Sequence, residues 1–238
     1  MNTTSRRLAV ILAALSILVL AAAPSAAREQ LGTHELRRAA RASGDVGISP
    51  APCEDRAFRL LGAKWVTTYE WSFRASSTPS YLSRRTTKDV LKRSFNNVTN
   101  GRNDCGRADN IDATQRYLGA TPRSPNCSRR DGRNVIGFAR LPYGVLAVTC
   151  YWMRNGRMVE ADLKINTREM WSLSGRACRA RPVLEATMTH EAGHVFGLDH
   201  VGERKHGRLT MSSYLDGPCQ NAEATLGLGD LLGLERLY

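Results

Sequence analysis

The sequence predicts a single α+β domain in which a mixed sheet packs against a few helices. From Val159 to Ile165, apolar and charged residues alternate one by one, which is the pattern of a strand with one buried face. From Thr87 to Val98, apolar residues recur every three or four positions, as on the buried face of a helix. About 175 residues follow from Lys64 onward, which is enough for one compact core.

The remaining elements are predicted from local patterns in the same way. Alternating aromatic residues predict a first strand just after Lys64, and Thr86 or Thr87 is the expected cap of the first helix. Pro182 suits the first turn of a later helix. The other expected elements are a short helical piece at Ile111–Tyr117 within a loop-rich stretch, and strands at Asn134–Phe138 and Gly144–Trp152.

The segment His190–His200 has the sequence His-Glu-Ala-Gly-His-Val-Phe-Gly-Leu-Asp-His. On a helix, His190 and His194 share one face about 6 Å apart along the axis, so their ring nitrogens can converge on one ion. Gly197 can take the left-handed conformation that ends a helix and lets His200 arrive as a third ligand. Three protein ligands leave one position for water, which is typical of a catalytic zinc site.

Glu191 directly follows the first predicted ligand, so on a helix its carboxylate points beside the metal. Zinc lowers the pKa of a bound water to about 7 and polarises a carbonyl group. Glu191 can then carry the proton as general acid/base. The predicted chemistry is the attack of zinc-bound water on an amide bond.

This motif resembles that of the metzincin metalloproteases, and in particular of secreted bacterial matrixin-like peptidases. Met211 lies eleven residues after His200 in Leu-Thr-Met-Ser, which is similar to the methionine turn of that family and compatible with a packing role. The last ten residues, 229–238, resemble its final helix. The resemblance covers about residues 64–238. It implies a twisted mixed five-stranded sheet with one antiparallel edge strand, and three main helices.

The resemblance also implies a substrate-binding edge strand at Gly144, Val145, Leu146 and Ala147, to which substrate would align antiparallel. The chain departs from vertebrate-type matrixins in its metal ligands. It has five histidines, three of which are assigned to the catalytic ion, so we expect one zinc and no structural zinc. The stretch 166–169 is not a carboxylate cluster, so calcium stays possible but unsupported.

The first 27 residues are predicted to be a secretory signal peptide. Arg6 and Arg7 form its charged start, Leu8–Ala23 is an apolar stretch short for a membrane span, and small residues precede Arg28. An uncleaved anchor is the alternative, which Pro24 disfavours. We expect residues 28–63 to be a flexible or short helical lead, or a short propeptide-like segment, and residues 64–238 to be the catalytic domain.

Six cysteines follow the signal, an even number that suits three disulfides in an exported protein. Sequence alone leaves 15 pairings open. We expect Cys105–Cys127, Cys178–Cys219 and Cys53–Cys150. An alternative for Cys53 comes from the resemblance: matrixin zymogens are silenced by a prosegment cysteine at the fourth zinc position. A disulfide is favoured, because a free Cys53 would leave another cysteine unpaired.

The formal net charge is +12, and removal of Arg6 and Arg7 with the signal leaves 12 − 2 = +10. This charge favours weak attraction to anionic surfaces, but no nucleic-acid-binding motif is present. We therefore expect a secreted, extracellular and monomeric zinc endopeptidase that acts on proteins or peptides, without stable membrane insertion. Two alternatives stay open: a hydrolase of cell-wall peptide crosslinks, and a non-enzymatic basic module that uses zinc as a staple and binds anionic envelope polymers.

Overall fold

A computed structural model describes residues 29–38, 49–215, 219 and 221–238. The predicted signal peptide lies outside these residues. The helices are α1 (Arg84–Thr99), α2 (Leu184–Val195), α3 (Glu203–His206) and α4 (Leu228–Leu237). The strands are β1 (Gln30–Arg38), β2 (Arg59–Leu60), β3 (Tyr69–Phe73), β4 (Gln115–Ala120), β5 (Val135–Ala139), β6 (Val145–Arg154), β7 (Arg157–Asn166), β8 (Leu198–Asp199) and β9 (Tyr214–Leu215).

The main sheet is mixed and has seven strands within the described residues, in the order β4-β3-β5-β7-β6-β1-β9. Strands β3, β4, β5 and β7 pair in parallel, and β6 is antiparallel to β7. The α+β class is therefore confirmed. The expected five-stranded sheet is wrong, because β1 and β9 extend the sheet beyond β6. Four helices are present in the described part of the chain, of which α3 is a single turn.

At residues 30–38, strand β1 corrects the expectation of a flexible or short helical lead. It pairs antiparallel with β6 from Gln30 to Arg37 and so uses backbone groups that would otherwise form an open sheet edge. Leu36 is the one buried side chain in this strand. The strand therefore forms through long-range pairing, without an apolar pattern of its own.

The first half of the core follows the sequence pattern closely. Tyr69, Trp71 and Phe73 of β3 are fully buried, and they pack against the apolar face of α1 through Phe95. Helix α1 begins earlier than predicted, because the hydroxyl of Ser83 accepts a hydrogen bond from the backbone N–H of Thr86. The helical piece expected at Ile111–Tyr117 is absent: β4 runs through its second half and pairs with β3.

Three disulfides join all six cysteines. Cys178–Cys219 is confirmed, whereas the other two expected pairs are wrong: Cys53 pairs with Cys105, and Cys127 pairs with Cys150. With Cys53 in a disulfide, it has no thiol to serve as a ligand of the predicted zinc. No helix in the described part of the chain is long and apolar enough to cross a membrane. The three disulfides are compatible with an extracellular location.

Candidate metal centre

Helix α2 supplies the first part of the site. It begins after Val183, one residue beyond Pro182, and is buried along nearly all of its length. Its last two turns place His190 and His194 on one face, with both side chains almost completely buried. The expected helix and its placement of these two histidines are thus present. The helix ends at Val195, after which the chain turns back toward its own last turn.

Gly197 makes that turn for two separate reasons. Its φ is +94°, a conformation that residues with a Cβ rarely adopt. A Cβ at this position would also lie 2.3 Å from the carbonyl oxygen of Ala63. After the turn, β8 pairs with β2, and the side chain of Asp199 accepts the backbone N–H of His200 at 2.7 Å. These contacts bring His200 back against α2.

The three histidines meet at their Nε2 atoms. The distances between these atoms are 3.0 Å for His190–His200, for His194–His190 and for His194–His200. The Nδ1 atoms face carbonyl oxygens instead: that of His190 lies 2.7 Å from Thr210 O, and that of His194 lies 2.9 Å from Leu198 O. Because a carbonyl oxygen accepts only, these Nδ1 atoms must be protonated, and each neutral ring directs an Nε2 lone pair into the cluster.

This arrangement could hold a cation at its centre. Lone pairs at 3.0 Å repel one another, and a divalent metal bound by Nε2 atoms, with Nδ1–H held by a carbonyl, is the usual form of a histidine metal site. Burial lowers the pKa of His190 and His194 well below the ordinary value and that of His200 to about 4. The neutral imidazoles that a metal requires are therefore the stable forms here.

Glu191 lies beside the cluster and is fully buried. Its Oε2 accepts a hydrogen bond of 2.5 Å from the hydroxyl of Thr149 in β6, and its Oε1 has no hydrogen-bond partner among the described residues. Burial raises the pKa of Glu191 to about 8. A nearby divalent cation would oppose that rise, because it favours the charged carboxylate. Oε1 is thus the oxygen of Glu191 that could accept a hydrogen bond from a water molecule, with the backbone N–H of Leu36 close to the carboxylate.

Met211, the methionine of the turn identified in the sequence, packs against α2 at Gly193. The side chain is 1% exposed, and a Cβ placed on Gly193 would lie 2.3 Å from its sulfur. The adjacent carbonyl of Thr210 accepts the Nδ1–H of His190. Met211 therefore packs against helix α2, and the neighbouring Thr210 orients the ring of His190.

The residues predicted to align substrate lie at the start of β6. Gly144 precedes the strand with a φ of +79°, and Val145, Leu146 and Ala147 are fully buried within it. Asn166 fixes this turn, since its side chain donates to Val145 O at 2.6 Å and accepts from the backbone N–H of Leu141. The edge of β6 is not open in this structure, because β1 pairs along it.

Sequence reasoning missed His34, which β1 carries to the site. Its ring stacks on that of His194, with ring centroids 4.4 Å apart, and its Nε2 lies 2.9 Å from the hydroxyl of Tyr151. Together with His200, these two histidines form a second group whose ligand atoms lie within 4.8 Å of one another. The only sequence feature that could have placed His34 at the site is that it is a histidine, because the segment around it has no apolar pattern that predicts a strand.

The carboxylates of β7 accept hydrogen bonds from the backbone of a loop, and this role does not support a calcium-binding site. Glu160 accepts backbone N–H groups from Asp131 and Arg133 at 3.0–3.2 Å, and Asp162 accepts those of Asn126 and Val135 at 2.5 and 2.6 Å. Each carboxylate thus already accepts at least two backbone N–H groups. The carboxylates act here as anchors for residues 126–135.

No protein-family model matches the chain, and no curated protein matches it significantly in sequence.

Proposed function

We propose that the protein is a secreted zinc-dependent endopeptidase of the metzincin type. The observation that carries the proposal is the convergence of three Nε2 atoms, each 3.0 Å from the others, next to a buried glutamate. An all-imidazole set of three protein ligands, with water completing the site, suits catalytic zinc. His190, His194 and His200 would hold the ion.

When bound, zinc supplies Lewis acidity and lowers the pKa of water so that it can attack a carbonyl carbon near neutral pH. The protein's own part is to move protons and to align the peptide. Glu191 accepts the proton of the attacking water and passes it to the leaving amine, while Thr149 fixes one carboxylate oxygen and leaves the other free. Residues Gly144–Ala147 would align an extended peptide by backbone pairing once β1, which pairs along this edge in the structure, is displaced.

Several further features support the proposal. Met211 packs against α2, and the carbonyl of Thr210 accepts the Nδ1–H of His190. These contacts hold the His190 ring in one orientation. Three disulfides suit an exported protein, and the predicted signal peptide provides the route. The net positive charge favours encounter with acidic proteins or envelope surfaces.

The test combines metal analysis with a proteolysis assay on the purified secreted chain. We expect about one zinc per chain, casein cleavage that a chelator abolishes, and recovery when zinc is returned. His194→Ala should lose both the metal and the activity. His206→Ala is the matched control, because His206 contacts Asp55 outside the cluster and should keep both.

Other outcomes would contradict this function. A chain that holds zinc and adheres to anionic polymers but cuts no protein would be the basic zinc-stapled module. Cleavage confined to cell-wall peptide crosslinks would assign a narrower hydrolase. A chain that binds no zinc would remove the basis of the mechanism.

A further inference from the structure

The ion pair between Arg38 and Glu169 lies at the edge of β6 that the proposed function assigns to a bound peptide. Strand β1 runs antiparallel to β6 along this edge. The backbone N–H of Arg38 donates to Gly144 O at 2.8 Å, and its side chain donates from Nη2 to Oε2 of Glu169. A side chain at the position of Arg38 therefore reaches the Glu169 carboxylate while its backbone pairs with Gly144.

Glu169 is the more buried partner of this ion pair. Its side chain is 11% exposed, whereas that of Arg38 is 48% exposed. Within the described residues, Arg38 is the only cation that pairs with Glu169. An ion pair with one largely buried partner is screened less by solvent than a pair at the open surface. A peptide that replaces β1 would therefore need its own cation at this position to restore the pair.

The segment that carries Glu169 is fixed by several hydrogen bonds. The hydroxyl of Tyr81 donates to the carbonyl oxygen of Glu169 and accepts the backbone N–H of Trp171, both at 2.9 Å. Trp171 is 1% exposed, and its indole N–H donates to Asn166 O at 2.8 Å. The backbone around Glu169 is thus held in place independently of Arg38, so the carboxylate is preorganised for a ligand.

Asn166 also links this segment to the edge of β6. Its side-chain amide donates to Val145 O at 2.6 Å, and its side-chain oxygen accepts the backbone N–H of Arg168 at 3.0 Å. The guanidinium of Arg168 lies over the ring of Tyr143, 4.1 Å from the ring centroid, and does not pair with Glu169 in the described structure. The carboxylate and the backbone groups that would align a peptide thus keep a fixed separation.

The neighbouring position on β1 has a different environment. Arg37 donates to Glu35 of the same strand at 2.8 Å, and these two side chains are 51% and 39% exposed. Both partners belong to β1, so the rest of the described fold contributes no carboxylate to this pair. Charge on a bound peptide is therefore recognised at the position of Arg38 and not at that of Arg37.

We propose that Glu169 is a specificity-determining residue that selects peptides with a basic side chain at the position of Arg38. The inference rests on the proposed function and adds a substrate class to it: extended peptides that pair along β6 in place of β1 and carry arginine or lysine beside Gly144. Arginine should be preferred to lysine, because a guanidinium can donate two parallel hydrogen bonds to one carboxylate. Glu169 acts on peptide binding and not on the proton transfer assigned to Glu191.

The first experiment measures the cleavage-site profile of the zinc-loaded secreted chain on a peptide library. We expect arginine and lysine to be enriched at one fixed position relative to the cut. Two matched peptides with arginine or glutamine at that position should differ in KM by about 10-fold with wild type, at similar kcat. With Glu169→Gln, the same two peptides should differ by less than about 2-fold.

Two further variants make this experiment specific. Glu169→Arg should shift the enrichment to aspartate and glutamate at the same position, because the charge that faces the peptide is reversed. Glu70→Gln is the matched control. Glu70 pairs with Arg116 between β3 and β4, away from the edge of β6, so its loss should leave the wild-type preference unchanged.

A second measurement does not depend on turnover: hydrogen exchange of the Arg38 amide in the full chain. Arg38→Gln and Glu169→Gln should each raise its exchange rate by about 5-fold or more, and the double variant should exchange no faster than either single one. Arg38→Glu combined with Glu169→Arg should restore protection. Arg37→Gln and Glu169→Gln should instead act additively, because Arg37 pairs with Glu35.

Three outcomes would overturn the inference, and they are distinguishable. A wild-type chain that cuts the library without a basic preference, or a Glu169→Gln chain that keeps the wild-type preference, refutes the role of Glu169 and leaves the proposed function standing. A zinc-loaded chain that cuts no peptide of the library refutes the proposed function and, with it, the substrate class. Additive effects of Arg38→Gln and Glu169→Gln on hydrogen exchange would refute a direct interaction between these two side chains.

Discussion

The Nδ1 atom of His190 lies 2.7 Å from the carbonyl oxygen of Thr210, and the backbone N–H of Thr210 in turn donates to Asp230 at 2.9 Å. Asp230 lies in α4, is buried, and also accepts the N–H groups of Met211 and Gly227. The last helix therefore orients the first histidine of the cluster through the backbone of the turn that contains Met211.

Asp230→Asn should weaken both the fold and the metal site. An amide offers one acceptor oxygen, whereas Asp230 uses both oxygens, so at least one buried N–H loses its partner. We expect the free energy of unfolding to fall by about 1–3 kcal/mol and the zinc affinity by about 10-fold or more. Denaturant unfolding and chelator competition measure the two effects. Asp89→Asn, on the exposed face of α1, should change neither appreciably.

Gly193→Ala should destabilise the wild-type protein. The new Cβ would lie 2.3 Å from the sulfur of the buried Met211. Such overpacking costs about 1–3 kcal/mol, which outweighs the gain of up to about 1 kcal/mol in helix propensity. In a Met211→Ala background the clash is gone, so the same substitution should become neutral or stabilising. Thermal unfolding of the four proteins measures this reversal of sign.

Gly202→Ala is the control for the glycine substitution. Gly202 precedes α3 with an ordinary negative φ, and a Cβ there would meet no atom within 4 Å. Its effect should be small and the same in both backgrounds. If Gly193→Ala lowers the stability by the same amount with and without Met211, the methionine does not pack against α2 as described.

The stability contributed by Asp162 should fall as the pH rises. Burial raises the pKa of this carboxyl to about 7, although N–H groups of Asn126 and Val135 act in the opposite direction. Because the pKa is higher in the folded than in the unfolded state, the folded chain binds more protons between pH 4 and 7. The free energy of unfolding of wild type, relative to Asp162→Asn, should therefore decrease over that range.

The exposed Asp112→Asn variant controls for the loss of one negative charge in the same titration series. Urea unfolding at several pH values between 4 and 8 supplies the comparison. A difference between wild type and Asp162→Asn that increases with pH would contradict the burial of a partly protonated carboxyl at this position.

The cluster of His190, His194 and His200 was predictable because the three residues are close in sequence. Helix geometry alone places His190 and His194 on one face. Gly197 takes the left-handed conformation that ends the helix, and the turn there brings His200 back to the other two histidines. Local sequence patterns predicted helices α1 and α2 and four of the nine described strands, which are β3, β5, β6 and β7. Glu191 followed from its place in the same helix.

The missed features depend on contacts between distant segments. Strand β1 has one buried side chain and forms because β6 offers an unpaired edge. The sequence of Gln30–Arg38 has no apolar periodicity that would predict a strand. His34 and Tyr151, 117 residues apart, meet only through that pairing. The partners of Cys53 and Cys127 likewise depend on how loops fold back on the sheet, so their pairing could not be derived from spacing.

The most direct test of the account is the Glu191→Ala variant, measured for zinc content and for turnover of an external peptide. The three histidines that would hold the metal are intact in this variant, so it should keep about one zinc per chain. Its kcat should fall by at least ~100-fold, because the variant lacks the buried carboxylate that is proposed to carry the proton. Turnover close to that of wild type with zinc still bound would contradict the mechanism.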